Sequence, residues 1–320
     1  MSEYTRMNKS ELNSENLEKS ILENIVLASL KEQRRARLWG IFFKLLFFAY
    51  IFLLLFAGLG WIDDGKVRLS NEHTALVELR GVITADGVSS ADKVIASLQS
   101  AFKDKNTKGV VLRINSPGGS PVQAGYIYDE IKRLRAKFPE KPLYAVAGDV
   151  CASGGYYVAA AADKIFVDKA SLVGSIGVLM DGFGFAGTLE KLGVERRLLT
   201  AGENKGFLDP FTPLDPVQKN HATNMLKEIH EQFIDMVKQG RGDRLKDVPD
   251  IYSGIVWTGQ KSIDLGLADA LGSAEYVARE IIDAETLVDF TAREGFTDLF
   301  AKRFGQILLS ALSGNEWSLK

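Results

Sequence analysis

A single cysteine, Cys151, stands in 320 residues, so the chain can close no disulfide on itself and cannot build a zinc site from several thiolates. The fold must be held by its core. Histidine is nearly as scarce: His73, His221 and His230 are the three present, none close in sequence to another set of ligands, and no metal centre is expected. Excess charge of one sign is also lacking. With 39 basic against 41 acidic side chains, the formal charge of −2 gives no general attraction for nucleic acid or acidic lipid, so no nucleic-acid partner is expected. Neither a phosphate loop ending in Gly-Lys-Ser/Thr nor a Gly-x-Gly-x-x-Gly after the first strand occurs, and no cofactor is expected.

What is present, 46% hydrophobic and 25% charged residues, suits a globular domain. It also includes one long apolar run. Leu45 to Ile62 is 18 uncharged residues, about 27 Å as a helix, and Trp39 to Phe43 extend it. Residues 38–62 read as a transmembrane signal anchor, with Trp39 and Trp61 at the interfaces. A cleaved signal would need an n-region of over forty residues, and a core helix would show a polar face. Lys31, Arg34, Arg35 and Arg37 flank the run on one side, Asp63 and Asp64 on the other. Positive charge stays inside, so the expected location is the cytoplasmic membrane, single-pass, with residues 1–37 in the cytoplasm and the larger domain on the periplasmic or extracytoplasmic side. Within 1–37, Leu17, Ile21, Ile25 and Ala28 have the spacing of a short amphipathic helix. Residues 63–74 form a linker, 75–290 the main domain and 291–320 a C-terminal helical segment.

Through the main domain, strand patterns at Ala75–Leu79, Gly109–Ile114, Pro142–Ala147 and Lys164–Val167 alternate with helical patterns at Val94–Phe102, Ile127–Phe138 and Ala152–Ala162. Ser175–Met180 and Val194–Thr200 read as further strands, and Ala186–Leu192, Pro216–Gly240, Ser273–Ile282 and Asp298–Leu312 as helices. Such alternation favours an α/β domain with parallel strands.

Three glycine-rich turns follow apolar strands, where ligands gather in such folds. In Asn115-Ser116-Pro117-Gly118-Gly119 two glycines allow close backbone approach and leave N–H groups to face an anion, which describes an oxyanion hole. Ala152-Ser153-Gly154-Gly155 puts a serine in a strand-to-helix turn, beside a helix N-terminus that favours developing negative charge. Val173-Gly174-Ser175-Ile176-Gly177 is the third. Taken singly, each turn more often only reverses the chain. A nucleophilic serine needs a base, and no histidine is well placed for it. A lysine serves if apolar surroundings disfavour its charge, and Lys205, in the loop Ala201–Leu208, is the best candidate.

Together Asn115-Ser116-Pro117-Gly118-Gly119, Ala152-Ser153-Gly154-Gly155-Tyr156-Tyr157, Ala162-Asp163-Lys164-Ile165, Gly174-Ser175-Ile176-Gly177-Val178 and Gly202-Glu203-Asn204-Lys205 resemble the bacterial signal peptide peptidase family, over about Ala75 to Leu271. The resemblance implies the Clp protease/crotonase fold, a repeated ββα superhelix, here preceded by one transmembrane helix. It implies a serine endopeptidase with a Ser-Lys dyad, Ser153 as nucleophile and Lys205 as base. Ser175 would orient the lysine, and Gly119, Gly118 and the Ser153 backbone would hold the oxyanion. Both dyad members lie in one copy, as in the family's short forms. Those assemble into rings in which the lysine meets the serine either of its own subunit or of a neighbour, so the expected partners are membrane lipid, peptide substrates (signal-peptide remnants) and copies of the chain in an octamer. Cys151 reads as a small buried filler. Two rival readings are a crotonase-like acyl-thioester enzyme and a catalytically silent membrane scaffold.

Overall fold

The computed structural model describes residue 27, residues 30–54 and residues 72–292. They fall in two compact units, residues 27 and 30–54 in one and residues 72–292 in the other. In the first, helix α1 (Leu30–Leu54) is the one helix among the described residues long and apolar enough to cross a membrane. Its Trp39, Phe43, Leu46 and Leu53 side chains are each more than half exposed. The rest of the expected anchor to Ile62, the amphipathic pattern from Leu17 and the helix expected over Asp298–Leu312 lie outside the described residues.

The second unit is a mixed α/β domain. In chain order it contains β1 (His73–Arg80), α2 (Ala91–Lys103), β2 (Thr107–Ser116), α3 (Pro121–Lys137), β3 (Leu143–Ala152), α4 (Gly154–Ala159), β4 (Lys164–Val167) and β5 (Leu172–Gly174). There follow α5 (Ala186–Lys191), α6 (Pro216–Arg241), β6 (Val256–Thr258), α7 (Gly259–Asp264), β7 (Ala270–Leu271), α8 (Ala274–Tyr276) and β8 (Leu287–Asp289). The strands make one sheet in the order β6-β5-β3-β2-β1-β8, with β4 joining β3 to β7. Every pairing is parallel except β5 with β6.

Parallel strands are buried on both faces and therefore read as near-continuous apolar runs. Val77, Leu79, Val110, Leu112 and Ile114 point into one core with Leu98 and Phe102 of α2 and Ile127, Ile131 and Leu134 of α3. Leu76, Val111, Val146 and Phe166 point into a second, closed by Val277 and Ile282. Each such side chain, wholly removed from water, contributes about 1.5–3 kcal/mol before the entropy cost. Capping fixes the helix starts: the Ser120 hydroxyl accepts from the Gln123 amide ahead of α3, and Asp215 accepts from the Val217 amide ahead of α6. Pro121 and Pro216 occupy the first helical positions, where no donor is missed.

The sheet forks along β3. Its first half, at Tyr144–Val146, pairs with β4, whereas its second half, at Val150–Ala152, pairs with β5. Between the halves the register against β2 slips, from Ile114 opposite Ala147 to Ser116 opposite Cys151. A slip of this kind bends a strand and re-aims its end. Here it carries β3 to β5 and delivers Ser153 between them.

Two expected strands are absent. Ser175–Met180 leaves the ladder because β5 ends at Gly174 and the chain turns sharply at Ser175, where φ is +50°. Val194–Thr200 lies exposed with no strand beside it among the described residues, and an extended segment becomes a strand only when a neighbour supplies hydrogen bonds. Ser273–Ile282 is a short α8 followed by a π turn through Ile281.

Candidate active site

Ser153 occupies the junction between β3 and α4 with φ +51° and ψ −124°, outside the regions that a side chain tolerates freely. Such a conformation costs about 1–3 kcal/mol and persists only where surroundings impose it. Here the Ser153 amide donates to the Gly174 carbonyl at 2.8 Å, and its carbonyl accepts from the Tyr157 amide at 2.9 Å. The serine is thus pinned between β5 and the first turn of α4.

Against it lies the turn after β2. Gly118 (φ +101°) and Gly119 (φ +146°) both have backbones that glycine alone adopts readily. A β-carbon on Gly118 would fall 2.7 Å from the Gly154 nitrogen, and one on Gly119 would fall 2.2 Å from the Ile83 carbonyl oxygen. Ile83 fastens the turn by donating to the Gly118 carbonyl and accepting from the Ser120 amide, both at 2.8 Å. Buried Ser116 braces it from within, its hydroxyl donating to the Gly81 carbonyl at 2.6 Å and accepting from the Gly118 amide at 3.1 Å.

This accounting leaves two amides beside the serine without a partner among the described residues, those of Gly119 and Gly154. The Gly119 nitrogen lies 3.3 Å from where a β-carbon on Gly154 would be, so the two amides crowd one spot. Ser153's own amide, expected as a donor, is engaged by Gly174. Sequence reading missed Gly154 and Ser116. The signal available for Gly154 was its place immediately after the serine at a helix N-terminus, where the first amides have no partner within the helix.

Ser153 and Gly119 line a cleft of about 930 Å³, together with Ser175, Gly154, Tyr157 and an apolar wall that includes Val178, Leu179, Ile229 and Phe233. Ser175 is held by its amide, which donates to the Ile255 carbonyl at 2.9 Å. Gly118 touches Ser153 directly. Of the expected site residues, Lys205 alone stays apart: it is exposed in the turn Ala201–Leu208 and is not among the residues lining this cleft.

Each histidine has other work. His230 meets the Ile176 carbonyl at 3.1 Å and ties α6 to the loop after β5, buried His73 lies 3.2 Å from the Thr107 hydroxyl, and His221 packs edge-on to Phe207. None is among the residues that line the Ser153 cleft. Among the described residues no group of three or more His, Cys, Asp or Glu is placed to hold a metal ion.

Comparison with known proteins places the chain. The family model for peptidase family S49 matches residues 135–288, and that for Clp protease matches residues 65–172. A protein of Synechocystis bearing the provisional name protease slr0021 is 30% identical over 206 residues, 64% of this chain and 72% of that protein. A provisionally named signal peptide peptidase SppA of Enterococcus faecium is 28% identical over 233 residues, 70% of this chain and 67% of that protein. The Na(+)/H(+) antiporter NhaA of Brucella melitensis is 46% identical over 212 residues, 65% of this chain. The chain spans only 29% of that antiporter's length.

Proposed function

The chain belongs to peptidase family S49, and on that footing we propose that it is a membrane-anchored serine endopeptidase in which Ser153 is the nucleophile and Lys205 the general base. The observation that carries the reading is the strained serine at the end of β3, lining an open cleft beside two amides that have no partner among the described residues. A peptide lying extended along the cleft presents its carbonyl carbon to the Ser153 oxygen. As that bond forms, the hydroxyl proton passes to the lysine amine, and the carbonyl oxygen takes up negative charge between the Gly119 and Gly154 amides. Collapse of this tetrahedral species breaks the C–N bond, and the lysine returns the proton to the departing amine. Water, deprotonated by the same lysine, then releases the acyl group from Ser153. Gly119 and Gly154 are thereby the donors, with Gly118 admitting the serine and Ser175 orienting the lysine.

Lys205 reaches the serine of a neighbouring subunit. Its own loop is exposed, and the surrounding segment carries apolar side chains that no described residue covers: Leu199 is 95% exposed, Leu179 82% and Phe183 78%. Contact between copies would bury them, and an amine enclosed among them sheds its charge more readily than one in water. The assembly is a ring, an octamer. The domain limits are 1–37 for the cytoplasmic segment, 38–62 for the anchor, 63–74 for the linker, 75–290 for the peptidase domain and 291–320 for the C-terminal segment. The anchor sets the peptidase domain on the outer face of the cytoplasmic membrane, and the apolar wall suits signal-peptide remnants left there.

A serine-directed fluorophosphonate tests the nucleophile. Wild-type protein labels, and Ser153→Ala does not; equal labelling of both would refute the assignment. Lys205→Ala loses peptide turnover while keeping the wild-type thermal midpoint. Thioester turnover that survives Ser153→Ala would instead point to crotonase-like chemistry.

A further inference from the structure

Asp129 is the only charged side chain among those lining the Ser153 cleft. It shares one face of α3 with Val122, Gly125 and Tyr126, which follow one another at helical spacing along the cleft wall. From Pro121, next to the glycine turn, to Asp129 the helix rises about 12 Å, so Asp129, itself solvent-exposed, lines the cleft two turns of helix away from the glycine turn.

The surroundings there are aromatic. Tyr126 is 57% exposed on the same helix, and Tyr157 faces it from α4, its ring 4.9 Å from Phe233 and 5.5 Å from Tyr128. A β-carbon on Gly125 would make an ordinary contact of 4.0 Å with the Tyr157 hydroxyl, so the hydroxyl end lies over α3. Burial first, and then the negative charge of Asp129, raise the Tyr157 pKa, which agrees with a carboxylate close to that hydroxyl. The adjoining Glu130 is engaged by Arg133 and Gln99, whereas no hydrogen bond or ion pair among the described residues takes the Asp129 carboxylate.

A carboxylate lining an apolar, tyrosine-walled cleft complements one kind of side chain. Lysine and arginine lay an aliphatic stem on apolar surface, place their charged head over an aromatic face, and end in donors for a carboxylate. We propose that Asp129 is a specificity-determining residue, selecting peptides that present a lysine or arginine side chain to this part of the cleft. The inference rests on the reading of Ser153 as the nucleophile.

The test is a positional scan with the full-length protein in detergent, using fluorogenic peptides that carry lysine, norleucine or glutamate at each position in turn. At one position lysine exceeds norleucine about tenfold in kcat/KM, and added salt shrinks the ratio. In Asp129→Asn the ratio falls to about one, in Asp129→Glu it persists, and in Asp129→Lys glutamate overtakes lysine. A charge swap that exchanges the preferred substrate is not explained by a structural role. If Asp129→Lys fails to fold, the Asn and Glu variants decide. A flat wild-type scan, or a lysine preference unchanged in Asp129→Asn, overturns the proposal. Cleavage that depends on Ser153 but shows no such preference sinks the Asp129 inference alone. Cleavage that survives in Ser153→Ala, or none at all by wild type, counts against the underlying reading as well.

Discussion

A β-carbon placed on Gly118 would lie 2.6 Å from the Cβ of Ser153 and 2.9 Å from its Oγ. The two residues come from different βα turns, one after β2 and one after β3, and they meet because the forked β3 turns its end toward β5. The position of Ser153 therefore depends on an absent side chain 35 residues upstream in the chain.

Gly118→Ala accordingly lowers kcat/KM by at least about 100-fold, since the added methyl displaces the serine and φ is +101° there. Peptide turnover alongside a thermal melt separates this from unfolding. Activity within a few-fold of wild type would show that the turn can move away from Ser153 at little cost.

Mixing two inactive proteins distinguishes where the lysine acts. If Lys205 serves the serine next door, Ser153→Ala and Lys205→Ala subunits, dissociated and reassembled together at equal amounts, regain about a quarter of the wild-type turnover, because random neighbours restore an intact pair that often. Pairing within one subunit predicts none.

Arg241 is 1% exposed and donates to both oxygens of Asp269, at 2.7 and 3.0 Å. Burial alone would raise the Asp269 pKa, but the hydrogen bond and charge of Arg241, helped by the Ile165 amide and Arg244, win and lower it. A depressed folded-state pKa means that the unfolded chain binds the proton more readily. The pair's contribution is thus complete above the ordinary carboxylate range and is lost as pH falls through the depressed value. Asp269→Asn should cost about 3 kcal/mol at pH 7, where it leaves a buried guanidinium without its counter-charge, and the gap from wild type should close in acid. Denaturation midpoints at neutral and at low pH measure both; a gap that is constant with pH would contradict the account.

Burial pushes the Cys151 thiol up to about 12, so at pH 8 it is protonated as well as enclosed. Iodoacetamide at that pH leaves the native protein unlabelled and modifies one thiol per chain in denaturant, as mass spectrometry can count. The raised pKa adds stability that is full below the ordinary thiol range and fades as pH climbs above it. Labelling of the native protein would remove Cys151 from the core.

Much of this architecture was legible in the residues. Apolar runs at β1, β2 and β4, the Ser120-Pro121 and Asp215-Pro216 starts of α3 and α6, and the apolar helix before the domain are local signals, set by burial pattern, capping and the fixed φ of proline. The paired glycines and the serine in its turn were legible too, because a backbone at positive φ and a sharp strand-to-helix reversal leave few residue choices. Val194–Thr200 shows the limit of that reasoning. Its alternation is a strand's, but a strand is a relation between two segments, and the described residues place no second one beside it.

Composition and local order thus determined the apolar strands of the central sheet and the capped starts of α3 and α6, and marked the side chains on which the proposed chemistry rests. Which amides are left for an anion was decided only by the fold: the Gly174 carbonyl, brought by β5, takes the Ser153 amide and leaves those of Gly119 and Gly154 unpaired. The same holds for Asp129, whose place in the cleft depends on the rotation of α3 against α4 and α6. Hydrogen-bond partners and facing surfaces come from segments distant along the chain, and neighbouring residues do not encode them.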